Sequence, residues 1–196
     1  MIYEQAWALQ AQQGDEEAFT RLVEYFQVPV FNLCYRMLGE PEAAEDAAQE
    51  SFLRAFQNLW RYNSDRSFAT WLLSIAAHYC IDLLRRKHLA VFSMDEIPDF
   101  EMPDRSAPDP ENETVRREES KHLQLVLRDL DPLDRAAIIL RYWNDCSEKE
   151  IAEILALTVS AVKSRLHRAR RELAENWQEK QPKGCKGRMT YESQAL

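Results

Sequence analysis

Residues 147–171 read SEKEIAEILALTVSAVKSRLHRARR, and the fold follows from how this stretch is parsed. Ser147 followed three residues later by Glu150 has the spacing of a capping box. It opens a short helix that turns Ile151, Ala152 and Leu155 inward. A turn at Ala156-Leu157-Thr158 follows, and Ser160 is expected to cap a last helix with Val162, Leu166, Ala169 and Leu173 on its inner face. Two helices this short, joined by so tight a turn, form a helix-turn-helix, and the small Ala152 allows them to approach closely. Lys163, Ser164, His167, Arg168 and Arg171 lie away from the apolar stripe, and no acid interrupts Thr158 to Arg171. Outward arginines suit bidentate contacts to guanine in the major groove, and Ser or His suits single ones. Arg165 and Arg170, nearer the flanks, suit phosphates. A solvated helix face would carry the same charges, so the basic run by itself leaves both readings open.

Working back toward the N-terminus, Leu123, Val126, Leu127 and Leu130 repeat at helical spacing. Asp131-Pro132 then restarts a helix, with Asp as cap and Pro at the first position. Residues 92–120 hold Pro98, Pro103, Pro108 and Pro110 among 10 acids and show no apolar period. This composition reads as an extended acidic linker. Before it lies a helical domain over 1–91. Asp15 is its first plausible cap, with Phe19, Leu22, Val23 and Phe26 following at helical spacing. Pro29 is expected to break or kink that run before Val30 resumes it, and Gly39 ends it. Pro41 starts a helix with Ala44, Ala48, Phe52, Ala55, Phe56 and Leu59 as its buried stripe. After a polar loop, Phe68, Trp71, Leu72, Ile75, Ala76, Tyr79 and Leu83 line a third helix ending in Arg85-Arg86-Lys87, where the helix dipole favours cations. The expected architecture is all-α: a domain over 1–91, the linker over 92–120, a helix-turn-helix domain over 121–178 and a basic tail over 179–196.

Totals agree with a helical protein. Only 4 glycines occur among 196 residues, against 45% hydrophobic residues. The four cysteines (Cys34, Cys80, Cys146, Cys185) are scattered with no paired spacing, so neither a metal site nor a disulfide framework is expected. Absence of an apolar run long enough to span a bilayer, and of a basic-then-apolar leader, reads as a cytoplasmic protein with no membrane insertion of its own. The net charge of -8 hides an uneven distribution. Residues 1–60 and 92–120 each sum to -7, whereas 61–91 sum to +3. Two basic islands in an acidic chain matter more for nucleic-acid contact than the total does.

The run Ala44-Glu45-Asp46-Ala47-Ala48-Gln49-Glu50-Ser51-Phe52, then Phe68-Ala69-Thr70-Trp71-Leu72, then Ile75-Ala76 with Asp82 and Arg85-Arg86, resembles conserved region two of the extracytoplasmic-function sigma factors of the sigma-70 family. Leu130-Asp131-Pro132-Leu133-Asp134-Arg135 and Glu150-Ile151-Ala152, with Val162 to Arg170, resemble region four. The resemblance covers most of residues 15–178 and implies a bacterial transcription initiation factor without catalysis or cofactor. It further implies docking of Asp46, Gln49 and Glu50 on the coiled coil of the largest subunit of core RNA polymerase, and of the helix-turn-helix domain on the flap of the second largest. An exposed acidic helix face suits a basic protein surface. By the same resemblance, the loop after Arg61 and the helix beyond it read and open the minus-ten element. Arg61, Arg66, Arg85, Arg86 and Lys87 would face the unpaired strand, with Asn63, Ser64, Ser67 and His78 toward its bases. Phe68 and Trp71 fall on the buried stripe and read as core. The upstream element would fall to Ser160, Lys163, Ser164, Arg165, His167, Arg168 and Arg171. An anti-sigma protein is an implied partner beside promoter DNA.

The sequence departs from the family pattern at His78, often Asn, and at Ser160-Ala161, which replace Gly-Thr. The alternative function is an autonomous helix-turn-helix regulator. The acidic total opposes it, because repulsion from phosphates weakens unaided binding. An enzyme is set aside: His78 and Asp82 share a helix face, but no third ligand, nucleophile or phosphate-binding loop joins them.

Overall fold

The computed structural model describes residues 2–91 and 122–179, and every regular element among them is helical. In chain order these are α1 (Ile2–Gln12), α2 (Glu16–Leu38), α3 (Pro41–Gln57), a single 3-10 turn (Leu59–Arg61) and α4 (Phe68–Val91). After them come α5 (122–129), α6 (Pro132–Tyr142), α7 (Glu148–Ile154) and α8 (Val159–Glu179). The acidic linker, and the tail beyond Glu179 with Cys185, lie outside the described residues.

Local chemistry sets most helix ends. Asp15 accepts a hydrogen bond from the Ala18 amide, and Gly39 closes α2 in a left-handed conformation (φ 80°) with its N–H on the Tyr35 carbonyl. Pro41 occupies the first turn of α3, and Asp131 caps α6 through the Leu133 amide ahead of Pro132. Of the break or kink expected at Pro29, the break does not occur: α2 runs unbroken from Glu16 to Leu38. One missing N–H costs a single intrahelical bond, and α2 recovers it by packing against α1, α3 and α4 at once. Phe56, expected in the buried stripe, is 51% exposed, with its ring edge against Phe19 at the surface. Helix α1, which precedes the first cap legible in the sequence, adds Ala8 and Ala11 to the core and packs on α2.

The α1–α4 unit centres on α2, whose Leu22, Phe26, Val30, Leu33 and Met37 are buried against the small residues Ala44, Ala47, Ser51 and Ala55 of α3. Small side chains there let the two helices run close together. From α4, Phe68, Leu72, Ala76 and Cys80 complete this core. The α5–α8 unit is built on Val126, Leu127, Ile138, Ile139, Ile151, Ile154, Val162 and Leu166.

The two units pack on each other, α6 against α2 and α4, and α7 against α4. Polar side chains of the second unit cover the last carbonyls of α2. Gln124 donates to the Tyr35 carbonyl (3.3 Å), Arg135 to that of Met37 (2.6 Å) and Arg128 to that of Gly39 (3.3 Å). Carbonyls at a helix C-terminus lack intrahelical donors, and cations are favoured there. Burial, and then the nearby Arg128, lower the Arg135 pKa to about 10, which keeps it protonated at neutral pH. A side chain at position 39 would collide with Arg128, since a Cβ there would lie 2.7 Å from its guanidinium. The backbone angle is what calls for glycine here; the Arg128 guanidinium is the far end of a flexible side chain and would have to shift to admit a Cβ.

Candidate nucleic-acid interface

The helix-turn-helix forms as the capping box implies. Ser147 Oγ accepts from the Glu150 amide (3.3 Å), and the Glu150 carboxylate accepts from the Ser147 amide (2.7 Å). The turn passes through Ala156 at φ 52°, a left-handed angle that a side chain resists. Thr158, not Ser160, caps α8: its hydroxyl accepts from the Ala161 amide at 3.1 Å. The helix therefore begins earlier than expected, and Ser160 sits exposed in its first turn. Val162, Leu166 and Ala169 are buried, as the stripe requires. Cys146, just before α7, is buried, and its thiol pKa is pushed up to about 12, chiefly by that burial.

The outer face of α8 exposes Ser160, Lys163, Ser164, His167, Arg168 and Arg171. Several carry partners within the fold. Lys163 lies 3.6 Å from Glu148 on α7, and Arg171 lies 3.6 Å from Glu175. Ser164 donates to the Ser160 carbonyl at 3.1 Å. Arg165 and Arg168 converge on Asp134 of α6, whose side chain is 1% exposed. Arg165 Nη1 reaches its Oδ1 at 2.6 Å, and Arg168 reaches its Oδ2 through Nε at 2.7 Å and Nη2 at 2.6 Å. Arg165 also approaches Asp131 at 3.4 Å. The Asp134 hydrogen bond and charge raise the pKa of Arg168 further, so it is charged under all ordinary conditions. Helical spacing puts both arginines toward the outside of α8 but gives no sign of Asp134, whose partners are 31 and 34 residues away.

At the other basic island, the polar loop is held by α1, an element with no clear signal in the sequence. Gln12 Nε2 donates to the carbonyls of Leu59 (2.7 Å) and Tyr62 (2.8 Å), and Gln5 reaches that of Ser64 (3.5 Å). The Tyr62 hydroxyl donates to the Arg66 carbonyl at 2.6 Å, and Tyr62 is buried against Phe68 and Trp71. Burial, and then Glu4, raise its phenol pKa. Asn63 Oδ1 accepts from the Asp65 amide (3.0 Å), an Asx turn that leaves the Asn63 amide hydrogens to other partners. Arg61, Asn63, Ser64 and Arg66 are exposed and Ser67 is half-buried. Trp60, absent from the expected site, is 72% exposed, with the Arg61 guanidinium 4.8 Å from its ring centroid. A tryptophan beside a polar loop, off the buried stripe, was the available signal.

On α4, Phe68 is buried and Trp71 half-buried, in keeping with core roles. His78 is exposed, with Nδ1 2.8 Å from the Ser74 carbonyl, so Nε2 is the nitrogen left for a ligand. Arg85, Arg86 and Lys87 are exposed, and Lys87 pairs with Glu40 at 3.2 Å. On α3, Asp46 and Gln49 are exposed and Glu50 is half-buried, bonded to Arg54 at 2.7 Å. Leu53 and Phe56, both exposed, extend that same face with apolar surface at helical spacing. Among the described residues, no group of three His, Cys, Asp or Glu side chains is placed to hold a metal ion, and no helix is long and apolar enough to cross a membrane.

A helix-turn-helix with a basic outer face, carried by the same chain as a second basic helix end and a helix with an exposed acidic face, fits a nucleic-acid-binding protein. Comparison with known proteins makes this specific. Residues 22–89 match the family model Sigma-70 region 2, and residues 121–173 match Sigma-70, region 4. The chain is 37% identical over 170 residues to the ECF RNA polymerase sigma factor SigW of Bacillus subtilis, covering 84% of this chain and 91% of that one. The structure of CnrH, a sigma factor of Cupriavidus metallidurans, in complex with the cytosolic domain of CnrY superposes with a TM-score of 0.68 at 27% identity, covering 91% of this chain and 99% of that one. The sigma factor RpoE of Bartonella quintana, solved with the anti-sigma factor NepR, shares the fold with a TM-score of 0.65 at 19% identity, over 82% of this chain and 96% of that one. The chain belongs to the extracytoplasmic-function sigma factors of the sigma-70 family. It is an RNA polymerase specificity factor that directs promoter-dependent initiation, and the comparisons support this over a stand-alone regulator.

Proposed function

We propose the following division of labour. Residues 1–91 dock on core polymerase and open the minus-ten element, 92–120 span the gap, and 121–178 read the upstream element. In this reading Asp46, Gln49 and Glu50, continued by Leu53 and Phe56, meet the coiled coil of the largest subunit. The α5–α8 unit meets the flap of the second largest. Arg61, Asn63, Ser64, Arg66, Ser67, His78, Arg85, Arg86 and Lys87 capture the melted strand. Ser160, Lys163, Ser164, Arg165, His167, Arg168 and Arg171 face the upstream duplex. The protein works in the cytoplasm and catalyses nothing itself; the free energy of opening comes from polymerase and from capturing unpaired bases. Likeness to CnrH, which was solved with the cytosolic domain of CnrY, supports an anti-sigma protein as the holding partner.

The observation that carries this reading is the exposed face of α3. Its acids and apolar side chains are ill suited to DNA and well suited to a protein, on a chain that also carries exposed basic faces on α4 and α8. Transcription by core polymerase on a fragmented genomic library, reading the start sites that depend on this chain, tests it. Asp46→Ala with Gln49→Ala is expected to abolish those start sites without altering the melting temperature. Unchanged transcripts would end the assignment. Arg168→Ala is expected to reduce discrimination among upstream elements by about 1–3 kcal/mol. Uniform weakening on every sequence would make Arg168 a phosphate contact.

A further inference from the structure

We propose that Asp134 is a positioning residue for promoter choice: its buried carboxylate binds Arg165 and Arg168 together and presents them to DNA as one preset pair. This rests on the reading that the α8 arginines face the upstream duplex. Asp134 lies in the first turn of α6, outside the helix-turn-helix, and its side chain is 1% exposed. A carboxylate buried so deeply is tolerated only when paired, and it has both guanidinium groups on its two oxygens.

The arginines differ in how much they retain for a ligand. The Arg165 side chain is 24% exposed and is shared with Asp131. Arg168 is 49% exposed and turns its Nε and Nη2 edge to the carboxylate. Its Nη1 is left for a ligand. The buried carboxylate offsets one of the two charges, and the exposed Asp131 offsets Arg165 only in part because solvent screens it, so the clamp orients the pair without fully cancelling it. A free arginine on a helix surface loses rotamer freedom when it meets a base, and one already fastened has lost it beforehand. Residues 165 and 168 are one turn apart and share one anchor, so neither can shift to suit a wrong base pair independently of the other. Selectivity, more than affinity, is what such an arrangement gains.

The test uses the full chain assembled with core polymerase. Duplexes carrying a cognate upstream element, or single base-pair changes in it, are titrated across a salt series. Asp134→Asn keeps the volume and one acceptor but removes the charge that gathers the arginines. The expected result is a roughly tenfold loss of discrimination between cognate and altered elements. Binding to unrelated duplex should hold or tighten, and the slope of log K against log salt should steepen by about one phosphate equivalent. Equal weakening on all duplexes, with discrimination intact, would show Asp134 to be mere glue between α6 and α8 and overturn the proposal. In an Arg168→Ala background, Asp134→Asn should cost little further discrimination; a full second loss would overturn action through Arg168. If Arg168→Ala leaves discrimination untouched, the reading of α8 as the base-reading face fails, and the proposal with it. The wild-type chain supplies a check independent of any variant. The Arg168 Nε–H should give a slowly exchanging, ordered NMR signal without DNA, and a mobile one would overturn the proposal.

Discussion

On α8, Arg165 and Arg168 are fastened to a carboxylate inside the protein, whereas at the end of α4 Arg85 and Arg86 stand exposed with no acid bound to them among the described residues. Both faces are basic and both are proposed to meet the promoter, yet the arginines of one are held by a carboxylate and those of the other are not. The contrast matches the ligands. Duplex bases present fixed donors and acceptors at fixed spacing, and a preset guanidinium reads them best. An unpaired strand has no fixed shape, and cations that can follow its backbone serve better than ones held in place. The loop before α4 is intermediate. Its backbone is pinned by Gln12 and Tyr62, while Asn63, Ser64 and Arg66 remain exposed.

The largest effect should come from breaking the rigid side. Arg165→Ala with Arg168→Ala leaves Asp134 buried and without its guanidinium partners. An uncompensated charge at that depth should destabilise the chain by about 3 kcal/mol, the low end of the range because both arginines reach solvent. Denaturant unfolding measures it, and adding Asp134→Asn should restore most of the stability by removing the stranded charge. No recovery would mean that the arginines stabilise by packing rather than through Asp134. Next in size is Arg135→Met where the two units meet. The carbonyl of Met37, with those of Arg128 and Leu130, is deprived of its buried donor, at a cost of about 2 kcal/mol in the same assay. Smaller again is Ala156→Gly in the turn before α8, which should stabilise by about 1 kcal/mol, because φ 52° strains alanine and not glycine. A lower melting temperature for that variant would show the turn is unstrained.

How much of this is legible in the sequence depends on whether the deciding partner lies nearby along the chain. Asp15, Gly39, Pro41, Asp131-Pro132 and the Ser147–Glu150 box act on neighbours within a few residues, and all behave as their spacing implies. Thr158 displaces Ser160 as the cap because both are hydroxyl residues ahead of the same apolar stripe, and spacing alone cannot rank them. Pro29 does not break its helix because the penalty is local while the compensation comes from three other helices. Asp134 looks like an ordinary dipole-matched acid in a first helical turn. Nothing in its surroundings announces that α8 folds over it. The docking of Gln124, Arg128 and Arg135 on the end of α2 is equally hidden, since those bonds span 89 to 98 residues. The basic residues of the candidate site can thus be named from sequence, but not which of them are held.

The smallest effect on stability, and the sharpest test of the contrast, belongs to the loose side. Arg85→Ala with Arg86→Ala removes two exposed charges that are bonded to no acid among the described residues. The unfolding free energy should stay within about 0.5 kcal/mol of the parent. Binding of polymerase carrying this variant to a pre-melted promoter should nevertheless weaken, and its salt slope should flatten by about 1.4, at about 0.7 for each single-strand phosphate no longer neutralised. That weakening should be the same whatever bases occupy the melted segment, because adaptable cations follow the backbone. An effect concentrated on one base would mean that Arg85 or Arg86 is held in place after all, by DNA if not by a carboxylate. The two faces would then differ only in when their arginines become ordered.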